Sequence, residues 1–308
     1  MESTRDTYGK TLLELGKDPR VVVLDSDTSV STKTCNFAQH YPKRFINVGC
    51  AEQNLLGTAA GLAASGKIAF ASSYAVFVSG RAWEQIRNTI AHDKLNVKIV
   101  VTHAGLTNAS DGSSHQSLED IALMRVIPNM TVIVPADAVE TRKAVLAAAE
   151  HDGPIYVRLN RTKAPLLYTE DYDFSIGRAS ELTEGDDVAI IATGTMVAES
   201  MKAAEALRKE GVEARVINLS TIKPIDRETI IRAAKDTGAI VTVEEHSIYG
   251  GLGSAVSEVA CEEYPVPVKK MGVDDRFGQS GEYEELLELY GLNAESIVKK
   301  VKELLKVG

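Results

Sequence analysis

Three stretches of this sequence, each just past an apolar run, hold side chains able to do chemistry. The first is Gly49-Cys50-Ala51-Glu52-Gln53-Asn54. Glu52 falls near the amino end of a predicted helix whose next residues, Leu55 to Ala64, are nearly all apolar or small. A carboxyl there suits proton exchange beside low-dielectric surroundings, and equally suits a plain first-turn acid favoured by the helix dipole. Spacing alone leaves both open. The second stretch is Ser72-Ser73-Tyr74-Ala75-Val76-Phe77, whose aromatics could form a platform for a flat heteroaromatic ring or simply fill the core. The third runs from His103 to Gln116 and gathers two histidines, Asp111 and two glycines. A loop this polar after a buried strand is more often functional than filler. Ser117 and Asp120 fit a capping-box variant, so part of its polarity is expected to be structural.

Other groups are weaker. Arg5, Arg158 and Arg161 could hold a phosphate bidentately, or be solvated surface. Gly250-Gly251-Leu252-Gly253 lacks the third glycine of a dinucleotide fingerprint and follows the acidic Glu244-Glu245, so a tight turn is expected. Cys35, Cys50 and Cys261 form no redox pair or disulfide framework, and Cys50 reads as a small residue rather than a nucleophile. His103, Asp111 and His115 have suggestive spacing, but no HExxH pattern or carboxylate cluster joins them, so no metal site is predicted.

The elements that must position these groups alternate in type. Residues 21–24, 45–48, 68–71, 97–102, 131–134 and 155–159 read as strands, with helices over 51–64, 81–92, 118–125 and 137–150. Nearly apolar strands between helices predict an α/β fold: a doubly wound parallel sheet with helices on both faces. Ligands of such sheets bind beyond the carboxyl ends of the strands, where the three stretches lie. Residues 166–186, rich in turn formers and mixed acidic and aromatic residues, read as a linker between domains at 1–165 and 187–308. The second domain reads as a smaller three-layer α/β unit, with strands at 188–192, 214–219, 239–244 and 266–271, helices at 196–210, 227–235 and 252–261, and two closing helices.

The 308 residues suffice for two such cores. A formal charge of −9 and no basic stripe argue against nucleic-acid or anionic-membrane partners. No apolar run approaches the roughly 18 residues of a membrane span, and no apolar export signal opens the sequence, which predicts a cytoplasmic protein.

The segments STRDTYG, LDSDTSVST, AEQN, SYAVF, RAWEQIRN, HAGLTNASDGSSHQSLEDIAL, VPAD, VRLNRT, TIKPID and VEEHSIYGGLG occur in one order. In that order the chain resembles the carboxyl-terminal half of a transketolase over nearly its whole length. The resemblance implies a pyrimidine-binding domain followed by a C-terminal domain, and an enzyme of thiamine diphosphate that moves a two-carbon ketol unit from a ketose phosphate to an aldose phosphate. Glu52 matches the glutamate that bonds a ring nitrogen of the cofactor's aminopyrimidine and favours its imino tautomer. Tyr74 and Phe77 match positions packed around that ring, with Tyr74 replacing the usual phenylalanine, and Asp27 matches a residue near the cofactor. His103 and Asp111 match groups that bond sugar hydroxyls, His115 one near the reacting centre, and Arg5, Ser31 and Arg161 contacts to the sugar's phosphate. Arg158 has no match and is assigned to structure.

One departure stands out. The family's Gly-Asp-Gly motif and following Asn, which hold the diphosphate and its divalent metal, are absent; the nearest imitation is Glu184-Gly185-Asp186-Asp187. The resemblance therefore implies the C-terminal subunit of a split enzyme. A separate N-terminal subunit would carry the diphosphate and its Mg or Ca ion, with two copies of each chain assembled together. Neighbouring possibilities are a deoxyxylulose-phosphate synthase-like chain and the β chain of a 2-oxo-acid dehydrogenase. The sugar-phosphate contacts argue against the second, and the usual single-chain arrangement against the first. A non-catalytic assembly subunit should have lost Glu52 or its aromatics. A nicotinamide reductase should have glycines after Leu24, where Asp-Ser-Asp stands.

Overall fold

Strands such as Val21–Asp25 and Val97–Thr102 are buried along their whole length, as strands covered on both faces must be. In the computed structural model, which describes residues 1–306, they belong to a seven-stranded sheet. Its order is Thr221–Lys223, Thr131–Ile133, Ile155–Arg158, Val97–Thr102, Ile68–Tyr74, Val21–Asp25 and Phe45–Asn47. All neighbours are parallel except Thr221–Lys223, which runs antiparallel to Thr131–Ile133. The second sheet has five strands in the order Val268–Val273, Ile240–Ser247, Val188–Ala192, Ala214–Asn218 and Ser180–Glu181, the last antiparallel. The chain is thus α/β, with a doubly wound sheet followed by a smaller sandwich. No helix among the described residues is long and apolar enough to cross a membrane.

Period-two alternation sorts the second sheet's side chains. Val188, Ile190 and Ala192 pack with the helices Met196–Lys209 and Ala294–Leu305. Ala189 and Ile191 join a cluster with Arg227–Thr237 and Leu252–Glu263, and that cluster continues into the first domain through Ile222. The two sheets therefore share a core, and the strand that bridges them is the short Thr221–Lys223. Lys223 reinforces the joint by donating from Nζ to the carbonyls of Arg125, at 3.0 Å, and Ile127, at 2.5 Å.

Several expectations need correction. An unforeseen helix, Thr4–Leu15, opens the chain; Ser3 caps it by accepting from the Asp6 N–H. Its buried face is Thr4, Thr7, Tyr8, Thr11 and Leu12, too hydroxyl-rich to read as an apolar stripe. The helix expected over 81–92 contains two π-helical stretches, Phe77–Arg81 and Gln85–Ala91, so it begins beside the aromatic pair. The helix expected over 118–125 is Asp120–Arg125, and the Ser117–Asp120 capping box does not form. Asp120 instead accepts from Arg158 Nε at 2.8 Å and from the Tyr156 hydroxyl at 2.7 Å. A guanidinium as buried as that of Arg158 needs a carboxylate, and this demand outweighs a helix-end bond. The helix Glu52–Ala64 buries Leu55, Leu56, Ala59 and Ala60, while Gln53, Asn54, Gly57 and Gly61 are exposed. Within the linker segment 166–186, Ser180–Glu181 pairs with the second sheet, and Tyr168 stacks on Tyr172 with ring centroids 3.8 Å apart.

Candidate active site

The first sheet reverses direction between Val21–Asp25 and Ile68–Tyr74. The chain passes from the former to the edge strand Phe45–Asn47 and returns on the other side. The carboxyl ends of these strands deliver the candidate residues to one cleft. Asp25 closes its strand wholly buried and accepts from the Thr28 N–H, the Thr32 hydroxyl at 2.7 Å and the Thr34 hydroxyl at 2.8 Å. It thereby shapes the turn that carries Ser31. Burial raises its pKa, opposed by those bonds. Sequence reasoning passed over Asp25; an acid ending an all-apolar strand with three threonines within nine residues was the available signal.

Tyr74, the last residue of its strand, donates its hydroxyl to Ser31 Oγ at 3.1 Å. Its ring lies flat on His103, centroids 4.0 Å apart and planes 18° from parallel. Phe77 sits 6.2 Å from Tyr74 and nearly parallel to it, and His115 meets the Phe77 ring edge-on at 5.2 Å. Arg5 reaches in from the first helix, donating from Nη1 to the Ser31 carbonyl and to His103 Nε2, both at 3.2 Å. A guanidinium can only donate, so Nε2 holds the lone pair and Nδ1–H donates to Thr102 Oγ1 at 2.7 Å. His103 is buried and has a left-handed φ of 60°. Burial, helped by Arg5, Arg161, His115 and Lys33, pushes its pKa down to about 3, so the ring is neutral at ordinary pH.

Glu52 is the first residue of its helix and is 4% exposed. Its Oε2 accepts from Arg81 Nη1 at 2.6 Å, and the Arg81 guanidinium also lies over the Phe77 ring at 5.0 Å. Arg81 was missed. A cation four residues after an aromatic, on one helical face, was its signal.

One chain of contacts thus joins Glu52, Arg81, Phe77, His115, Tyr74, His103, Arg5 and Ser31. Arg161 faces Asp111 at 3.7 Å, both about two-fifths exposed, and its charge reaches His103 and Arg5. Asp27 is not drawn in: it is exposed, with a φ of 66°, and accepts from Asn47 Nδ2 at 2.8 Å. Arg158 lies in the interior, bound to Asp120. Gly250-Gly251 is a turn, and the Glu244 carboxylate fills the place an anion would take, accepting from the N–H groups of Leu252 and Gly253.

A buried carboxyl beside stacked aromatics fits the nitrogen edge and the face of a flat heterocycle, and clustered cations fit a small anionic substrate. Among the described residues, no three His, Cys, Asp or Glu side chains gather as metal ligands.

Known proteins divide along the same lines. Family models match the chain as transketolase, pyrimidine binding domain, over residues 2–165 and as transketolase, C-terminal domain, over 177–297. The fold is therefore that of a pyrimidine-binding domain joined to its C-terminal companion. The chain belongs to the transketolase family, whose members generally use thiamine diphosphate. A protein of Methanocaldococcus jannaschii named "Putative transketolase C-terminal section" is 52% identical over 98% of this chain and 96% of its own length. A 6-deoxy-6-sulfo-D-fructose transketolase subunit of a Clostridium species is 46% identical, covering 97% of this chain and 94% of that protein. A solved structure described as a split gene transketolase, inactive beta4 tetramer, is 54% identical with a TM-score of 0.93, covering 100% of this chain and 99% of that one. In length and order of domains the chain thus corresponds to the C-terminal subunit of a split transketolase.

Proposed function

We propose that this chain is the half of a two-subunit ketol-transferring enzyme that binds the aminopyrimidine of thiamine diphosphate and much of the sugar. The observation that carries the reading is the unbroken contact path from Glu52 through Phe77 and Tyr74 to Arg5 and Ser31. When bound, thiamine diphosphate supplies the carbon nucleophile and electron sink for breaking and making a carbon–carbon bond. Glu52 holds and returns a proton at a ring nitrogen through its carboxyl oxygens, which requires Arg81 to release Oε2. Tyr74 and Phe77 flank the ring and exclude water from it. His115 stands next to Phe77, where the reacting carbonyl would lie. Neutral His103 and Asp111 receive sugar hydroxyls, and Arg5, Ser31 and Arg161 receive the distal anion.

An N-terminal partner subunit would hold the diphosphate and its divalent ion (Mg or Ca), with two copies of each chain in a cytoplasmic enzyme. The absence of a Gly-Asp-Gly motif supports this, as does the tetramer described as inactive for the similar split protein. The sulfosugar relative favours a second reading of the substrate: a tetrahedral sulfonate suits the same three groups as a phosphate does. The test is ketol transfer by the purified chain alone and then with the partner, using ketose phosphates and 6-deoxy-6-sulfofructose as donors. Activity only with the partner is expected. Turnover by this chain alone would overturn the split assignment, and preference for the sulfosugar would replace the phosphate.

A further inference from the structure

The second sheet has its own reversal. From Val188–Ala192 the chain moves to Ala214–Asn218 on one side, then crosses to Ile240–Ser247 on the other. The crevice beyond the carboxyl ends of Val188–Ala192 and Ile240–Ser247 is where a doubly wound sheet would take a ligand. Here the first domain fills it. The N–H of Thr107 donates to Glu245 Oε1 at 2.8 Å. Gly105, with a φ of 62°, comes so close that a Cβ would stand 2.4 Å from the same oxygen. Glu245 Oε2 accepts from the hydroxyls of Thr195, at 2.7 Å, and Tyr283, at 2.8 Å. The Glu245 carbonyl accepts from Arg158 Nη2 at 3.0 Å, which also binds the Ser117 carbonyl at 3.2 Å.

What hangs on this contact is the sugar-binding loop. The Thr107 hydroxyl donates to the Ala104 carbonyl at 2.6 Å and accepts from the Arg161 N–H at 3.3 Å, so the segment leading to Asp111 and the backbone of Arg161 share one anchor. On the far flank Gln116, next to His115, donates from Nε2 to the Gln279 carbonyl at 2.9 Å. A Cβ on Gly278 would lie 1.8 Å from Gln116 Oε1, and one on Gly112 would lie 2.6 Å from Ser280 Oγ. Both ends of the loop thus rest on the second domain.

We propose that Glu245 is a positioning residue for the substrate site: through Thr107 it sets Asp111 and Arg161, and the second domain acts as the backing of the sugar-binding loop. The kinetic arm of the test rests on the function proposed above; a second arm does not. In the assembled enzyme, Glu245→Gln keeps the volume but turns an N–H₂ either toward the Thr107 N–H or toward both the Thr195 and Tyr283 hydroxyls. It is expected to raise KM for a ketose phosphate donor tenfold or more while changing kcat less. A short ketol donor without phosphate or distal hydroxyls should be affected several-fold less, and thiamine diphosphate affinity should stay within about twofold. Equal losses on both donors, or no loss on either, would overturn the proposal. Tyr283→Phe, which removes one donor and no charge, should shift the same KM in the same direction by a smaller factor should the first variant fail to fold. Independently of any substrate, hydrogen exchange on the chain alone should find the Thr107 amide protected, and Glu245→Gln should speed exchange tenfold or more across residues 105–117 but not in Val97–Thr102. An unprotected Thr107 amide in the unmodified chain would refute the contact, while an inactive but protected wild-type assembly would refute the assigned reaction and leave the loop anchor standing.

Discussion

In each sheet the chain leaves one strand first to one side and then crosses to the other, and the two crevices so made have opposite fates. At the first, Tyr74, Ser31 and Arg5 stay partly exposed beside a buried Glu52 whose carboxyl is met by Arg81, a side chain 55% exposed. At the second, Glu245 is sealed under Thr107 and bonded by three separate groups. Topology supplies both places, and side chains decide their use. A carboxyl with a solvent-facing partner can exchange that partner for a ligand. A carboxyl whose oxygens are all engaged by buried donors can only hold what is already there.

The largest effect should follow from altering the open crevice. Glu52→Gln keeps shape but cannot exchange the proton, so ketol transfer by the assembled enzyme should fall about 10²–10⁴-fold, with the urea midpoint of the chain unchanged. Near-normal turnover would remove the contrast between the two carboxyls. Arg158→Met attacks the sealed crevice from beneath. It leaves Asp120 buried without its cation and should cost roughly 3–5 kcal/mol in urea unfolding; a loss below about 1 kcal/mol would mean that the sealed side is not held by this pair. The smallest effect concerns His103 at the floor of the open crevice. Because its pKa falls from 6.5 to about 3 on folding, the unfolded chain binds a proton in that interval that the folded chain lacks. Stability therefore climbs with pH there, by at most about 1.4 kcal/mol per unit from this residue. His103→Asn should flatten the slope of unfolding free energy between pH 4.5 and 6.5 by up to that amount, and an unchanged slope would assign the titration to other groups.

Much of this was legible in the residues. Apolar strands and helices in alternation announced the α/β architecture, and the polar segments after the strands announced the open crevice. Tyr74, Phe77, His103, His115, Arg5 and Ser31 do meet there. The failures have physical causes. Thr4–Leu15 packs hydroxyls, which hydropathy patterns do not register. Arg81 ends a π-helical stretch, Phe77–Arg81, and its partner Glu52 lies 29 residues away on another helix, so only its spacing from Phe77 was a local signal. Glu244-Glu245 read only as an acidic strand end. Glu245's partners lie 138 residues before it and 50 and 38 residues to either side, distances at which local pattern is silent.

The three-residue strand Thr221–Lys223 has a practical consequence for anyone recombining such subunits. It is encoded with the second domain yet completes the border of the first sheet. A chimera joined anywhere in 166–186 would import a foreign border strand together with the foreign domain. Compatible parents must therefore agree at Thr131–Ile133 as well as at the seam.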